Sequence, residues 1–199
     1  MLKKFLHRGM MEAGVDEAGR GCFAGPVFAA AVILPPHFRH PLLNDSKQVS
    51  AEYREILREH ILSTALAWSV ALASEAEIDR INILNASHLA MHRAIAGLHL
   101  LPEHLLIDGN RFRKYDPIPH TCIIEGDAKY SAIAAASILA KTFRDDYMRS
   151  LDADYPQYGW KQNKGYGTPY HREMILEHGS CIYHRQSFNL TGNTQQSLF

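Results

Sequence analysis

An α/β domain, a central mixed sheet flanked by helices, is the fold this sequence predicts, and three observations predict it. A strand-like segment, 12–18, and a short apolar run, 26–34, come first; further short apolar runs then alternate with helical stretches; and neither an internal repeat nor a mid-chain linker divides the chain. Strands first, followed by alternating strands and helices, is the pattern of a mixed sheet rather than of a bundle or a sandwich. With 199 residues, 46% hydrophobic and 21% charged, the chain is long enough to bury well over half of its unfolded surface in one domain.

Each element has its own reason. "EAGVDEA" (12–18) reads as the first strand, and "PVFAAAVIL" (26–34), rich in branched apolar residues and closed by Pro35 and Pro36, as a buried second one. "SAEYREILREHIL" (50–62) opens on a serine cap and carries Leu and Ile at helical spacing, so it is an amphipathic helix. "LAWSVALAS" (66–74) returns to a strand pattern, and "ILNASHLAMHRAIAGL" (83–98) is helical, with Gly97 near its end. "HLLID" (104–108) and "TCIIEG" (121–126) are brief strands, which makes five. A long helix runs from Lys129 to about Leu151, its first half rich in small side chains that let it lie close to a sheet. The last residues, 190–199, lack periodicity and read as a flexible tail after a domain spanning 1–189.

Composition narrows the function. No run of about 18 apolar residues is present, so no membrane-spanning helix is expected. His7 and Arg8 interrupt the apolar start too soon for a signal peptide, which predicts a cytoplasmic protein, expected to be a monomer. Cys22, Cys122 and Cys181 lie far apart and read as reduced thiols. A formal net charge of zero excludes indiscriminate attraction to nucleic acid but leaves room for a local basic stripe balanced by an acidic site. The twelve histidines show no ligand spacing and are assigned no role.

Four acids stand out by position. Asp16 and Glu17 close the first strand, Asp108 closes a later one, and Asp127 precedes the long helix. Carboxylates at adjoining strand ends suit Mg2+ or Mn2+, hard cations that prefer oxygen ligands. Two such ions about 4 Å apart activate a water and stabilise the leaving oxygen of a phosphodiester. Each acid alone also fits a plainer role: a turn residue for Asp108, a helix cap for Asp127, solvated charges for Asp16 and Glu17. Adjacent strand residues face opposite sides, so Asp16 and Glu17 share one site only where the strand twists, bulges or ends.

The glycines beside them exclude one function and suggest another. "GRGCFA" fits the loose dinucleotide fingerprint, but that pattern must open a helix, and here Pro26 and a strand follow. No Walker A sequence is present either. What remains is a backbone that approaches a ligand closely, with Arg20 available to a phosphate or a sugar hydroxyl. Downstream, "YPQYGWKQNKGYGTPYH" (155–171) interleaves aromatics and lysines, the components of a nucleic-acid groove or equally of a well-packed covering loop. Ser46 and Lys47 in "DSK", and the cations of "NRFRK" (110–114), add loop polarity that decides nothing alone.

Taken in order, "GVDEAGRG", "DSK", "IDGN", "EGDAKYSAIAAASILAKTFRD" and "YGWKQNKGYGT" closely resemble the bacterial ribonuclease HII family, the type 2 ribonucleases H, from about residue 12 to 189. The resemblance implies a ribonuclease H-like fold with a helical C-terminal part. It implies cleavage of the RNA strand of RNA–DNA hybrids and nicking of duplex DNA 5′ of an embedded ribonucleotide, giving 3′-hydroxyl and 5′-phosphate ends. It assigns the metal acids to Asp16, Glu17, Asp108 and Asp127, and ribose reading to Gly19, Arg20 and Gly21. Tyr166 then packs on the sugar, with Ser46, Lys47 and Lys129 as further substrate contacts. Asp145 is acidic in the family too, although Lys141 and Arg149 offer it ordinary helix pairs. "QQSLF" (Gln195–Phe199) resembles the peptide by which bacterial repair proteins dock on the DNA sliding clamp. Two competing readings are a non-catalytic nucleic-acid-binding protein on the same fold and another metal nuclease such as a junction resolvase.

Overall fold

One sheet organises the chain, and its strand order explains where the chemistry falls. The structure, a computed structural model, describes residues 2–43 and 49–191. The strands are β1 (Glu12–Ala18), β2 (Val27–Ile33), β3 (Ala67–Ala73), β4 (His104–Asp108) and β5 (His120–Ile123), side by side as β3-β2-β1-β4-β5. β2 is antiparallel to both β1 and β3, whereas β1, β4 and β5 run parallel, so the sheet is mixed and five-stranded as expected. A parallel partner for β1 needs a long crossover. The chain supplies it with α1 (Ala51–Thr64), β3 and α2 (Glu75–Ala96) before returning as β4.

Both faces of the central strands are covered, which is why "VFAAAVI" is apolar throughout rather than alternating. Odd-numbered residues of β1 and β2, such as Val15, Ala29 and Ala31, pack with Ile78, Ala90 and Ala94 of α2. Ala30 and Val32 face the other way, onto Leu57 and Ile61 of α1 and the alanines of α3 (Ser131–Asp154). The small side chains of α3 allow an unusually close approach. A Cβ built on Gly14 of β1 would lie 2.1 Å from the Ala132 carbonyl carbon, so the helix rests on bare strand backbone.

One helix differs clearly from the sequence expectation. The helix expected at 83–98 starts at Glu75, on a capping box in which the Ser74 side chain accepts from the Glu77 N–H and the Glu77 carboxylate from the Ser74 N–H. It breaks at Asn82, whose backbone is left-handed (φ 64), and restarts with the Asn82 side chain accepting the Asn85 N–H at 3.1 Å. The expected start marks that second segment. The C-terminal part is helical, with a 3-10 turn at 156–158, α4 (Trp160–Asn163) and α5 (Pro169–His178). It closes a separate small core in which Tyr158 and Trp160 are fully buried with Phe23 and Met148. These two aromatics of the 155–171 stretch therefore belong to packing, and Tyr166 and Tyr170 are the ones left exposed. No helix among the described residues is long and apolar enough to cross a membrane.

Candidate active site

Pairing between β1 and β4 begins at Glu12 with His104 and ends at Val15 with Ile107. Asp16 and Glu17 lie just beyond, bonded to β2 on one side through Ala30 and Ala29 and open on the other. Asp108, the last residue of β4, stands at that notch. The alternation of the strand is kept: Asp16 faces α3, where the Ser137 hydroxyl donates to it, and Glu17 faces α2, with Arg20 Nη1 at 3.1 Å. Because the pairing of β1 with β4 ends there, both border the same opening, and Asp108 acts electrostatically on each. Neighbouring acids thus share an opening at the end of β4.

The electrostatics are those of crowded carboxylates. Burial holds the Asp16 carboxyl well above its ordinary value, and the nearby Glu17 and Asp108 raise it further. Burial also raises Glu17, against the opposing pull of Arg20. An all-oxygen donor set whose anionic form is this disfavoured is what a hard divalent cation relieves, and the residues fit such an ion. Among the described residues no group of three or more His, Cys, Asp or Glu side chains is by itself placed to hold a metal ion; Asp16, Glu17 and Asp108 line one cleft, and Asp127 does not line it. Asp127 is buried in the 3-10 turn Gly126–Ala128, and the preceding Gly126 N–H donates to Asp108 Oδ1 at 2.7 Å, which ties the two acid-bearing segments together.

The notch opens into a cleft of about 310 Å³ lined by Asp16, Glu17 and Asp108, by Gly19, Arg20 and Gly21, and by Ser137, Lys141, Arg54 and Tyr166. A larger cavity of about 710 Å³ lies at the opposite end of β1, beside Lys4, Arg8 and Arg39, and holds none of the four acids. Size therefore does not mark the site. The glycine loop beside the acids is held from below by two buried arginines. Arg185 donates to the carbonyls of Gly19 (2.7 Å), Arg20 (2.8 Å) and Gly25 (2.7 Å), and Arg144 to those of Pro26, Ala24 and Lys164. Neither forms a direct ion pair with a carboxylate among the described residues, though buried Glu75 acts on both electrostatically, and burial lowers Arg185 to about 10. In a planar trans peptide the C=O and the following N–H point opposite ways. With the Gly19 and Arg20 carbonyls turned onto Arg185, the N–H groups of Arg20 and Gly21 point away from it, and neither donates to any described residue. Gly19 (φ +94) has no alternative residue here, since a Cβ would sit 2.0 Å from Arg144 Nε.

Tyr166 meets this loop through a bridge to Cys22, with its half-exposed ring about equally far from Lys141 Nζ and the Arg144 guanidinium, 5.9 Å in each case. Lys129 is exposed and its ammonium donates to the Ile124 carbonyl at 2.6 Å, so it does not line the cleft. Asp145 takes the ordinary helix pair with Lys141 (2.5 Å), whereas Arg149 turns to Asp146 and Glu55 instead. Ser46 and Lys47 lie outside the described residues. Sequence reading missed Arg144, Arg185, Ser137, Lys141 and Arg54. Only the i, i+4 spacing of Ser137, Lys141 and Asp145 on one helix face carried a signal.

The family model described as Ribonuclease HII matches residues 13–191. The chain belongs to the ribonuclease HII family. A ribonuclease HII of Bacteroides thetaiotaomicron is 60% identical over 198 residues, covering 100% of this chain and 99% of its own. That of Porphyromonas gingivalis is 56% identical over 188 residues, 94% of each chain. Among solved structures, ribonuclease H2 from Pyrococcus horikoshii is similar at a TM-score of 0.76 and 26% identity, covering 92% of this chain and 95% of that one. Ribonuclease HII of Archaeoglobus fulgidus, solved in a PCNA:RNase HII complex, gives 0.74 and 26%, covering 94% and 98%. The ribonuclease H-like fold is therefore as expected, and this ribonuclease HII is an enzyme, an endoribonuclease of the ribonuclease H type that acts on RNA–DNA hybrids.

Proposed function

We propose that this ribonuclease HII cuts the RNA strand of hybrids and nicks duplex DNA on the 5′ side of a single embedded ribonucleotide, leaving 3′-hydroxyl and 5′-phosphate ends. One observation carries the reading: two N–H donors, of Arg20 and Gly21, point away from the Arg185 that holds their loop, in a cleft also lined by the carboxylates of Asp16, Glu17 and Asp108. Oriented backbone donors of this kind suit a phosphate, and the 2′-hydroxyl beside it is the group that separates RNA from DNA. Asp16, Glu17, Asp108 and Asp127 would hold two Mg2+ or Mn2+ ions, which supply the activated water and stabilise the departing 3′-oxygen. Arg20 and Gly21 bind the ribonucleotide through backbone N–H, with the Arg20 guanidinium available to the phosphate. Tyr166 packs on the sugar next to it, and Lys141, held by Asp145, contributes positive charge at the cleft wall. Ser46, Lys47 and Lys129 contact phosphates farther along the strand.

A missing 2′-hydroxyl leaves polar groups of the site unpaired, which costs about 1–3 kcal/mol, or roughly 5- to 150-fold in rate. The test is cleavage of three matched duplexes in Mg2+: all DNA, one ribonucleotide, and a full hybrid. The DNA duplex is expected to be cut roughly 5- to 150-fold more slowly than the other two, and equal cutting of all three would sink the reading.

The protein acts as a cytoplasmic monomer in this view, with Gln195–Phe199, outside the described residues, docking on the DNA sliding clamp. The archaeal relative solved with PCNA supports a clamp partner. A clamp pull-down unchanged by deleting residues 195–199 removes that part of the reading.

A further inference from the structure

Two histidines that had no assigned role form a buried pair beneath Tyr166. His171 on α5 and His184 in the C-terminal segment are almost wholly inaccessible, with their Nε2 atoms 3.1 Å apart. Their protons can be assigned from partners that can act in one way only. His171 Nδ1 lies 2.9 Å from the Tyr166 carbonyl, an acceptor, so Nδ1 carries the proton. Its Nε2 is then bare, and it accepts from the Trp160 indole N–H, a group that only donates, at 3.1 Å. At the other end, His184 Nδ1 accepts the Cys181 backbone N–H at 3.0 Å, which leaves the proton on Nε2, pointing at His171. The whole chain runs one way: Cys181 N–H to His184, His184 to His171, whose single Nε2 lone pair it shares with the Trp160 N–H, and His171 to the Tyr166 carbonyl.

This chain accommodates only neutral rings. A proton added to His171 Nε2 would face the Trp160 and His184 donors, and one added to His184 Nδ1 would face the Cys181 N–H. The other titratable or charged groups against the pair are Tyr158, the Cys181 thiol and Arg172, and no described carboxylate bonds to either ring. Burial lowers the pKa of His171, and burial together with His171 lowers that of His184 to about 4, in agreement with the proton assignment. The Tyr166 carbonyl also accepts the Thr168 N–H at 2.8 Å, so the backbone of the residue is fixed from two sides while its ring remains in the cleft.

We infer that His171 and His184 are positioning residues that fix Tyr166 against the ribose-bearing strand through a one-directional hydrogen-bond chain between their rings. The inference rests on the reading of Tyr166 as the residue that packs on the sugar. Imidazole 15N spectra of the whole protein are expected to show the Nδ1–H tautomer for His171 and the Nε2–H tautomer for His184 at neutral pH; the opposite pair overturns the chain. His171→Leu removes the donor to Tyr166, and loss of one such bond predicts a KM for a single-ribonucleotide duplex raised roughly three- to tenfold, with kcat changed far less. His171→Asn, whose amide N–H takes the Nδ1 position, should restore most of that. Tyr166→Ala should raise KM by itself, and adding His171→Leu to it should raise it no further, whereas merely structural damage would add. A folded His171→Leu protein with unchanged KM, beside a raised KM in Tyr166→Ala, overturns the inference alone; an unchanged KM in Tyr166→Ala overturns the reading of Tyr166 and the inference with it. If His171→Leu does not fold, His171→Phe removes the same donor while filling the space of the ring and is held to the same KM criterion.

Discussion

Replacing Gly14 by alanine adds one methyl group at the tightest contact in the fold. The new Cβ would lie 2.1 Å from the Ala132 carbonyl carbon and 2.3 Å from the Ile133 nitrogen, where ordinary contact begins at 3.4 Å. Both neighbours are helix backbone, which has no rotamer to yield, so α3 must move away from β1 by more than an ångström at that point. Overpacking of this kind costs about 1–3 kcal/mol. In a domain of this size it corresponds to a fall in Tm of roughly 2–12 °C. The same helix carries Ser137, which donates to Asp16, and Lys141 at the cleft wall. A displacement near 1 Å at reacting groups costs about 100-fold in rate. The expectation is therefore a double loss, measured by thermal unfolding and by single-turnover cleavage of a duplex with one ribonucleotide. Gly21→Ala is the control, because its Cβ meets no atom within 4 Å: Tm should hold while cleavage falls through the substrate side. If Gly14→Ala kept both the Tm and the cleavage rate of the wild type, the argument that bare backbone contact sets the position of α3 would be wrong.

Three further outcomes follow from the same geometry. Asp16→Asn should lower cleavage at least about 1,000-fold, the scale of losing a preorganised electrostatic group. In EDTA it should also raise Tm, more at pH 8 than at pH 4, because a carboxyl whose folded pKa is raised loses stability as pH climbs through it; Mg2+ should then raise the Tm of the wild type more than that of the variant. Arg185→Lys keeps the charge but not the fork that reaches three carbonyls, so unfolding should become easier by roughly 2–4 kcal/mol, and discrimination between one-ribonucleotide and all-DNA duplexes should narrow. His184 is held down to about 4, below the ordinary 6.5, so its contribution to stability is present above pH 6.5 and is lost as pH falls toward 4. Urea midpoints of the wild type should drop across that window more than those of His184→Gln, and parallel curves would refute the assignment.

The five strands and the flanking helices were legible because a sheet covered on both faces leaves apolar runs that stop abruptly, and the acids at those stops were conspicuous. The joint use of Asp16 and Glu17 was not. It depends on β4 ending two residues short of β1, a matter of register between segments about 90 residues apart. Arg144 and Arg185 were invisible for a different reason. A charged residue is normally read as surface, and these two are buried with backbone carbonyls as their only hydrogen-bond partners among the described residues, which no spacing rule announces. His171 and His184 escaped because a pair that serves as a hydrogen-bond link needs none of the spacing that a metal site needs. The Asn82 break was hidden inside a stretch whose composition is helical on either side.

Residues 22–25 lie between Gly165 and Tyr166 on one side and Tyr183 to Arg185 on the other, joined by Phe23 N–H to Gly165 O, Gly25 N–H to Tyr183 O and Arg185 N–H to Phe23 O. Seen in the order of synthesis, this arrangement dates the two halves of the active site differently. All four candidate acids, the whole sheet and α3 with its Arg144 have been made before residue 155, yet the loop proposed to read the sugar lacks its Gly165 and Arg185 contacts until those residues have been made. On the proposed reading, selectivity is the final property the growing chain acquires: a chain that stops a dozen residues before the end of the family match would carry the acids without Arg185, the support of the loop proposed to choose.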